Sequence, residues 1–594
     1  MNGIKQQSPV YSSKIESEEV AMKITQNMKI GNIWFNENGR SIIRNYAPDI
    51  EKEPLFIIIQ ASTLAEYAST KLIHPNPAGW LKDILQELED VEISREWEPD
   101  TPPPPYEDSS VANGSTDLHA VDFAEKWSVF EIELRGPSHG NPYMDVELGA
   151  QFTCGGQSVD VRGFYDGEGI YRIRFMPLAE GEWVYRTTSN CRTLRGIEGR
   201  FTCTAPKVGN HGPVRVADTF HFAYEDGTRY LPIGTTCYVW THQTEELEEQ
   251  TLLTLAETAF NKIRMCIFPK SFIFNENEPL RYPFMGSLEE GWDFTRFNPE
   301  YFQHLERRIA DLGRLGIEAD LILFHPYDRW GFATMAPSVD RRYLQYITAR
   351  LSAFRNVWWS LANEHELLWD KPDEDWERFG QIVTDNDPYG HLISIHNFVN
   401  VFDYSRPWIT HCSLQKSETD RSAAWRKQWG KPIVIDECAY EGNISPFWGN
   451  ITGEDMVRRF WEGAMRGGYA GHGETYFDPK DILWWSKGGV LHGSSPQRIK
   501  FLREVIEQAP SGVLDPLMNE FEFIAGVKDE FYLYYFSSRQ PCYYDFIMKP
   551  GSFYKVEILD TWNMTIEEVD GIFEGGFQIK LPGRSYIAVR LQRV

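Results

Sequence analysis

Long apolar runs are missing from this chain. No stretch reaches the roughly 18 apolar residues of a membrane span, and MNGIKQQSPVYSSKIESEEV at the start lacks the apolar core of a signal peptide. A cytoplasmic protein with no membrane partner is the expectation. Cysteine is scarce, with 8 in 594 residues, which makes no disulfide framework. Cys237, Cys266, Cys412 and Cys438 lie in or beside apolar runs, where a free thiol behaves as a small buried hydrophobe. Cys154, Cys191 and Cys203 share one β-rich region and would pair only in a secreted protein, so free thiols are expected. No CxxC or HExxH pattern occurs, so no metal or other cofactor is expected. Basic charge is also in deficit. A net charge of −27 argues against nucleic acid or an anionic membrane as partner, since both need a basic footprint. It makes a polyanionic polymer a poor substrate, unless a local basic site overrides the mean.

Aromatic residues are abundant, at 14% with 20 Trp. They fill cores, and some suit stacking on the C–H face of a sugar ring. The length implies about three or four domains, and 42% hydrophobic residues suffice for a large core. Residues 1–20 are polar and read as a disordered tail. Residues 21–100 read as a small α/β extension, with strand-like GNIWF and PLFIIIQAS and an amphipathic helix in AGWLKDILQELEDV. TPPPPYEDSSVANGS within 101–116 reads as a Pro-rich linker. Residues 117–206 alternate apolar and polar residues between Gly-rich turns, as an immunoglobulin-like β-sandwich does. Residues 207–512 alternate apolar strands with helices. The strand segments YLPIGTTCYVW, KIRMCIFP, EADLILFHP, VWWSLANE, LISIHN, WITHCSLQ, PIVIDECA and YAGHGETYF make eight, the number in a (β/α)8 TIM barrel. Residues 513–594 read as a second, C-terminal β-sandwich. With two sandwiches on an acidic chain, assembly into a homo-oligomer stays open.

Two segments carry the chemistry. NVWWSLANEHEL (356–367) and KPIVIDECAYEG (431–442) are short apolar runs with an acidic residue at the C-terminal end. Such runs read as fully buried parallel strands. In a barrel of alternating strands and helices the residues just past those ends line the active site. Glu364 and Glu437 so placed supply what glycoside hydrolysis needs: a proton for the leaving oxygen, and a carboxylate that attacks or activates water. Capping or salt-bridged carboxylates are the plain alternative.

On the W-S-L-A-N-E and I-D-E motifs, the barrel resembles the clan A glycoside hydrolases, which include the family 5 cellulase-like enzymes. The order of parts resembles a bacterial group with an N-terminal β-sandwich, an apiosidase-like barrel and a small C-terminal β domain. The resemblance spans residues 117–594. It implies Glu364 as general acid/base, Asn363 bound to the sugar 2-hydroxyl, Glu437 as nucleophile, and Arg264 of NKIRMCIF beside the nucleophile to keep it ionised. Softer candidates for substrate contact are His325, Tyr327, Asp328 and Trp330 in FHPYDRW, then His396, Asn397 and His411, and Glu474, Tyr476, Trp484 and Trp485 around the last strand. The family 5 His-x-Tyr is absent, His411-Cys412-Ser413 standing in its place, with Tyr440 or Tyr476 as substitutes. Glu366 and Asp436 are rival carboxylates; strand alternation turns Asp436 away, so Glu366 is the better rival.

The expected function is a retaining, exo-acting glycosidase on a small, largely neutral glycoside or oligosaccharide bound at one end in a pocket. Retention needs carboxyl groups about 5–5.5 Å apart rather than about 6.5–9.5 Å. A catalytically weak carbohydrate-binding protein on the same barrel is the alternative. A metal-dependent barrel hydrolase is a third reading, but Thr235, Thr236 and Cys237 supply no ligand cluster on the first strand.

Overall fold

The computed structural model describes residues 18–53, 55–69, 76–97, 101–517 and 522–594. Eight parallel strands form its centre: β1 (Gly234–Thr236), β2 (Lys262–Cys266), β3 (Glu318–Phe324), β4 (Val357–Ala362), β5 (Ile393–Ser394), β6 (Cys412–Gln415), β7 (Ile433–Glu437) and β8 (Gly468–His472). Their order is β5-β4-β3-β2-β1-β8-β7-β6. A parallel bridge between His396 and Ser413 joins the two ends, so the sheet closes on itself. Each strand segment expected from the sequence belongs to it. The runs are apolar throughout because both faces are covered; every residue of β3 and β4 is buried.

Helices lie between most of these strands, but among the described residues none separates β5 from β6. Pro299–Arg314 shows how the sequence sets one. Asn298 caps it, accepting from the Glu300 N–H, and Pro299 occupies its first turn. Phe302, Leu305, Ile309 and Leu312 form its buried face, and Gly316 leaves it at φ 72°. The N-terminal end of the closed sheet is plugged by a three-stranded hairpin sheet, Val214–Ala217, His221–Tyr224 and Arg229–Tyr230. Phe222 and Tyr230 pack on Trp358 at ring-centroid distances of 5.3 and 6.0 Å. In the interior, Lys262 Nζ binds Asp320 at 2.5 Å and Asp436 at 2.8 Å. Asp436 therefore faces the interior network and is no rival to Glu437.

The region before the hairpin is an eight-stranded β unit around Phe130, Phe152, Phe175, Trp183 and Phe201. A buried ion network ties it to the barrel: Arg350 meets Asp166 at 2.7 Å and Glu306 at 2.5 Å, and Arg174 meets Glu306 at 2.7 Å. The C-terminal region has a six-stranded and a two-stranded antiparallel sheet.

The N-terminal extension differs from expectation. GNIWF lies within the helix Ile30–Phe35, and Phe56–Ala61 of PLFIIIQAS is helical. Short apolar runs carry no period that separates helix from strand. The strands described there are Glu18–Lys23 and Glu92–Trp97, paired antiparallel. Part of the expected tail, residues 18–20, is thus strand, and residues 1–17 lie outside the described residues. The expected linker is laid along the β unit: Glu107 accepts from Thr193 N at 2.7 Å, and Asn190 Nδ2 donates to the Pro104 carbonyl at 2.8 Å. All eight cysteines are unpaired. Among the described residues no helix is long and apolar enough to cross a membrane.

Candidate active site

Glu364 lies two residues past β4 and Glu437 ends β7, both at the carboxyl end of the closed sheet. Glu364 sits in the left-handed region at φ 51°, and Ala439, just past Glu437, at φ 73°. Such backbone costs about 1–3 kcal/mol per residue and collects at functional sites. The Tyr327 hydroxyl donates to Glu364 Oε2, and the Gln415 side chain reaches the same carboxyl. The Tyr238 hydroxyl donates to Glu437 Oε1 and also lies 3.1 Å from Asn363 Oδ1. Arg264 Nη2 donates to that same Oδ1 at 3.2 Å. Among the described residues no acceptor takes Asn363 Nδ2, which is left to donate to a ligand. His396 Nε2 is 3.9 Å from Glu437 Oε1, and neither of its ring nitrogens has a hydrogen-bond partner among the described residues.

Burial raises both carboxyls. Glu437 is pushed up to about 7, the nearby Tyr440 hydroxyl pulling it back. Glu364 is raised as well, against the opposing pull of Lys270, Tyr327, Gln415 and Arg264. Burial holds His396 well below its usual range, hence neutral.

Arg264 departs from its expected place. Its guanidinium donates to Ser360 Oγ at 3.0 Å and to Asn363, and lies 3.5 Å from Asp320. Among the described residues no arginine or lysine pairs with Glu437. The reason is register: on β2 Arg264 sits level with Asp320 of β3, two residues before the strand's C-terminal end. Asp328 is not turned to a ligand, since its two oxygens accept from Trp330 N at 2.9 Å and Ala333 N at 2.8 Å. Trp330 Nε1 donates to Glu278 at 2.9 Å and braces the loop after β2. His325 Nε2–H donates to the Phe268 carbonyl at 3.1 Å, and burial lowers its pKa to about 3, so the ring is neutral. Asn397 clamps β6 through Gln415 N at 3.1 Å. His411 lies at the other end of the barrel, with its ring 5.2 Å from Trp358. Trp484 is core, donating to Thr235 Oγ1 at 2.8 Å, and Tyr476 donates to Glu441 at 3.1 Å. Among the aromatic candidates Tyr327 meets Glu364, and Trp485 lies at the mouth in a cluster with Tyr238, Tyr440, Phe272, Phe274 and Trp448.

The rival Glu366 is a clamp. It accepts from the backbone N–H groups of Phe398, Val399 and Asn400 at 2.6, 2.9 and 2.7 Å, tying the loop after β4 to the loop after β5. The N-terminal extension rests on the same loops: Asn32 Nδ2 donates to the Trp369 carbonyl at 2.9 Å, Lys29 meets Asp373 at 2.5 Å, and Asn400 Nδ2 donates to the Ala61 carbonyl at 2.8 Å.

Glu441, His472 and Glu474 bring their ligand-type atoms within 4.8 Å of one another. Both carboxylates are already engaged. Glu474 accepts from His492 N at 2.5 Å and Gly493 N at 2.7 Å, and Glu441 from Ser494 N at 2.7 Å and Ser495 N at 3.0 Å. They hold the N-terminus of helix Ser495–Glu507, whose positive end stands where a cation would otherwise be wanted.

Sequence reasoning missed Tyr238, Lys270 and Gln415. Tyr238 sits in CYVW after β1 and Gln415 ends β6, positions where rim residues are expected once strands are assigned. Lys270 lies in a loop and carried no signal.

Comparison with known proteins gives three family matches. Residues 217–497 match an apiosidase-like catalytic domain, 124–190 a domain of unknown function termed DUF5060, and 521–592 one termed DUF5605. The chain is similar to a candidate glycoside hydrolase of known structure from Bacteroides vulgatus, with 41% identity and a TM-score of 0.77 over 80% of this chain and 100% of that one. A family 5 glycoside hydrolase from Bacteroides vulgatus shares the fold at 14% identity and a TM-score of 0.51, over 64% of this chain and 94% of that one. No curated protein matches the chain.

Proposed function

The chain belongs to the glycoside hydrolases with an apiosidase-like catalytic domain, and from that premise we propose a retaining, exo-acting glycosidase that cleaves a small glycoside or oligosaccharide by double displacement. The observation that carries this reading is the pair of buried glutamates at the ends of β4 and β7, each met by its own tyrosine hydroxyl. Glu437 attacks the anomeric carbon. Glu364 protonates the leaving oxygen and then deprotonates the water that releases the sugar. Asn363, its carbonyl fixed by Arg264, presents Nδ2 to the sugar 2-hydroxyl. The reading takes the closed sheet as a (β/α)8 barrel and the flanking regions as an immunoglobulin-like sandwich and a C-terminal sandwich.

A pocket closed at one end is supported by the loop after β2. It folds into a hairpin, Phe284–Ser287 with Gly291–Phe297, and sends Phe272 and Phe274 to pack against Trp485 at 5.3 and 5.8 Å. An open polymer groove would need that wall removed. The alternative of a binding protein that has lost catalysis is disfavoured by the presence of both carboxyls with their partners. A panel of aryl glycosides tests the proposal. Turnover of at least one member, abolished in Glu437→Gln, supports it; binding of sugars without turnover of any member contradicts it.

A further inference from the structure

The loop after β2 carries a cation to which the chemistry above gives no task. Lys270 is 2% exposed. Its ammonium lies over the rings of Tyr238 at 3.6 Å, Tyr327 at 4.2 Å, Phe272 at 4.8 Å and Trp485 at 5.7 Å. Tyr238 and Tyr327 are the residues whose hydroxyls meet Glu437 and Glu364. The cation therefore stands between the two catalytic arms, beside any ring that touches both.

An ammonium has three N–H donors, and a buried charge is ordinarily paired or hydrogen-bonded. Two other buried lysines of the barrel obey this: Lys262 holds Asp320 and Asp436, and Lys371 holds Asp340 at 2.5 Å. Lys270 has neither a carboxylate partner nor a hydrogen-bond acceptor among the described residues. Ring faces attract it, but they leave its N–H groups unclaimed. Its charge does pull on Glu364, yet the protonated Glu364 that acts as acid offers no counter-charge. The position is also fixed in advance. Asn275 Nδ2 donates to the Lys270 carbonyl at 2.8 Å, and Gln243 Nε2 holds Asn275 at 3.2 Å. Burial lowers Lys270 to about 8, so it is still mainly protonated at neutral pH.

We propose that Lys270 receives an anionic substituent of the substrate, a carboxylate on the sugar bound between Glu364 and Glu437, so that the substrate class is a glycuronide. The proposal rests on the glycosidase reading and narrows it. A single carboxylate needs one cation rather than a basic face, so the acidic net charge is no obstacle.

The test uses the full chain and matched aryl glycosides, each a neutral hexoside paired with its uronide and its 6-sulfate. The uronide is expected to exceed its neutral partner in kcat/KM, and that ratio should fall about 100-fold in Lys270→Met, the order expected for truncating a buried charge contact, with partial recovery in Lys270→Arg. A ratio unchanged in Lys270→Met, or preference for the neutral or the sulfated member, overturns the assignment while leaving the glycosidase reading in place. Titration of Glu437→Gln with free uronic acids and their neutral sugars separates the two claims. If no glycoside turns over but a uronic acid binds and binding is lost in the Glu437→Gln, Lys270→Met double variant, the anion site stands and the glycosidase reading falls. If nothing binds and nothing turns over, both fall.

Discussion

The hydroxyl of Tyr238 donates to Oε1 of Glu437. The sixth-strand tyrosine of family 5 enzymes is absent from the sequence, which left Tyr440 or Tyr476 as the expected substitutes. This hydroxyl comes from the first βα loop; the Tyr440 hydroxyl, one of the two expected substitutes, also bears on Glu437, while Tyr476 is occupied with Glu441. A donor to a carboxylate favours its ionised form, the form a nucleophile needs.

Tyr238→Phe should therefore raise the Glu437 pKa further. In the free enzyme burial already holds it at about 7. The nucleophile is off when protonated, so wild-type kcat/KM should fall as pH drops below about 7. In Tyr238→Phe that limb should move to higher pH, with a loss of about ten- to a hundredfold at neutral pH. An unmoved limb in the pH–rate profile would remove Tyr238 from this role.

Glu364→Ala should slow glycosides with poor leaving groups far more than activated aryl glycosides, because the former alone need protonation. Azide should rescue it by attacking the glycosyl-enzyme in place of activated water. Glu366→Gln behaves differently: it loosens the backbone clamp at 398–400, so its losses should be equal across leaving groups and insensitive to azide. Steady-state rates with and without azide separate the two.

Glu318 gives a stability prediction. It is buried beside Trp358, whose Nε1 donates to it at 3.0 Å, and burial lifts it from 4.5 to about 8. A carboxyl raised in the folded state contributes stability that is full below its unfolded value and lost as pH rises through the folded one. Thermal unfolding should therefore show Tm declining from pH 6 to 9. Glu318→Gln, which cannot ionise, should flatten that decline. An identical slope in both proteins would mean that Glu318 is ionised in the fold.

The barrel strands were legible because burial on both faces makes them unbroken apolar runs, as in EADLILF and VWWSLA. The same property misled at GNIWF and PLFIIIQAS, where runs of that length fit a short helix as well. Glu364 and Glu437 could be placed from strand ends alone. Their surroundings could not, because contacts across the rim join residues far apart in sequence: Tyr238 reaches Glu437 and Tyr327 reaches Glu364. Arg264 was misplaced for a related reason. Strand membership fixes which wall a residue stands on, while its height depends on register, and the register puts it level with Asp320.

Double displacement requires Glu437 to form a covalent bond to the sugar. Incubation with a panel of 2-deoxy-2-fluoro glycosides, followed by peptide mass mapping, tests this directly. Inactivation by one member is expected, with the fluorosugar attached to Glu437 in the peptide spanning 431–442. Attachment to Glu364 or Glu366, or turnover of the matching glycoside with inverted product and no labelled peptide, would contradict it.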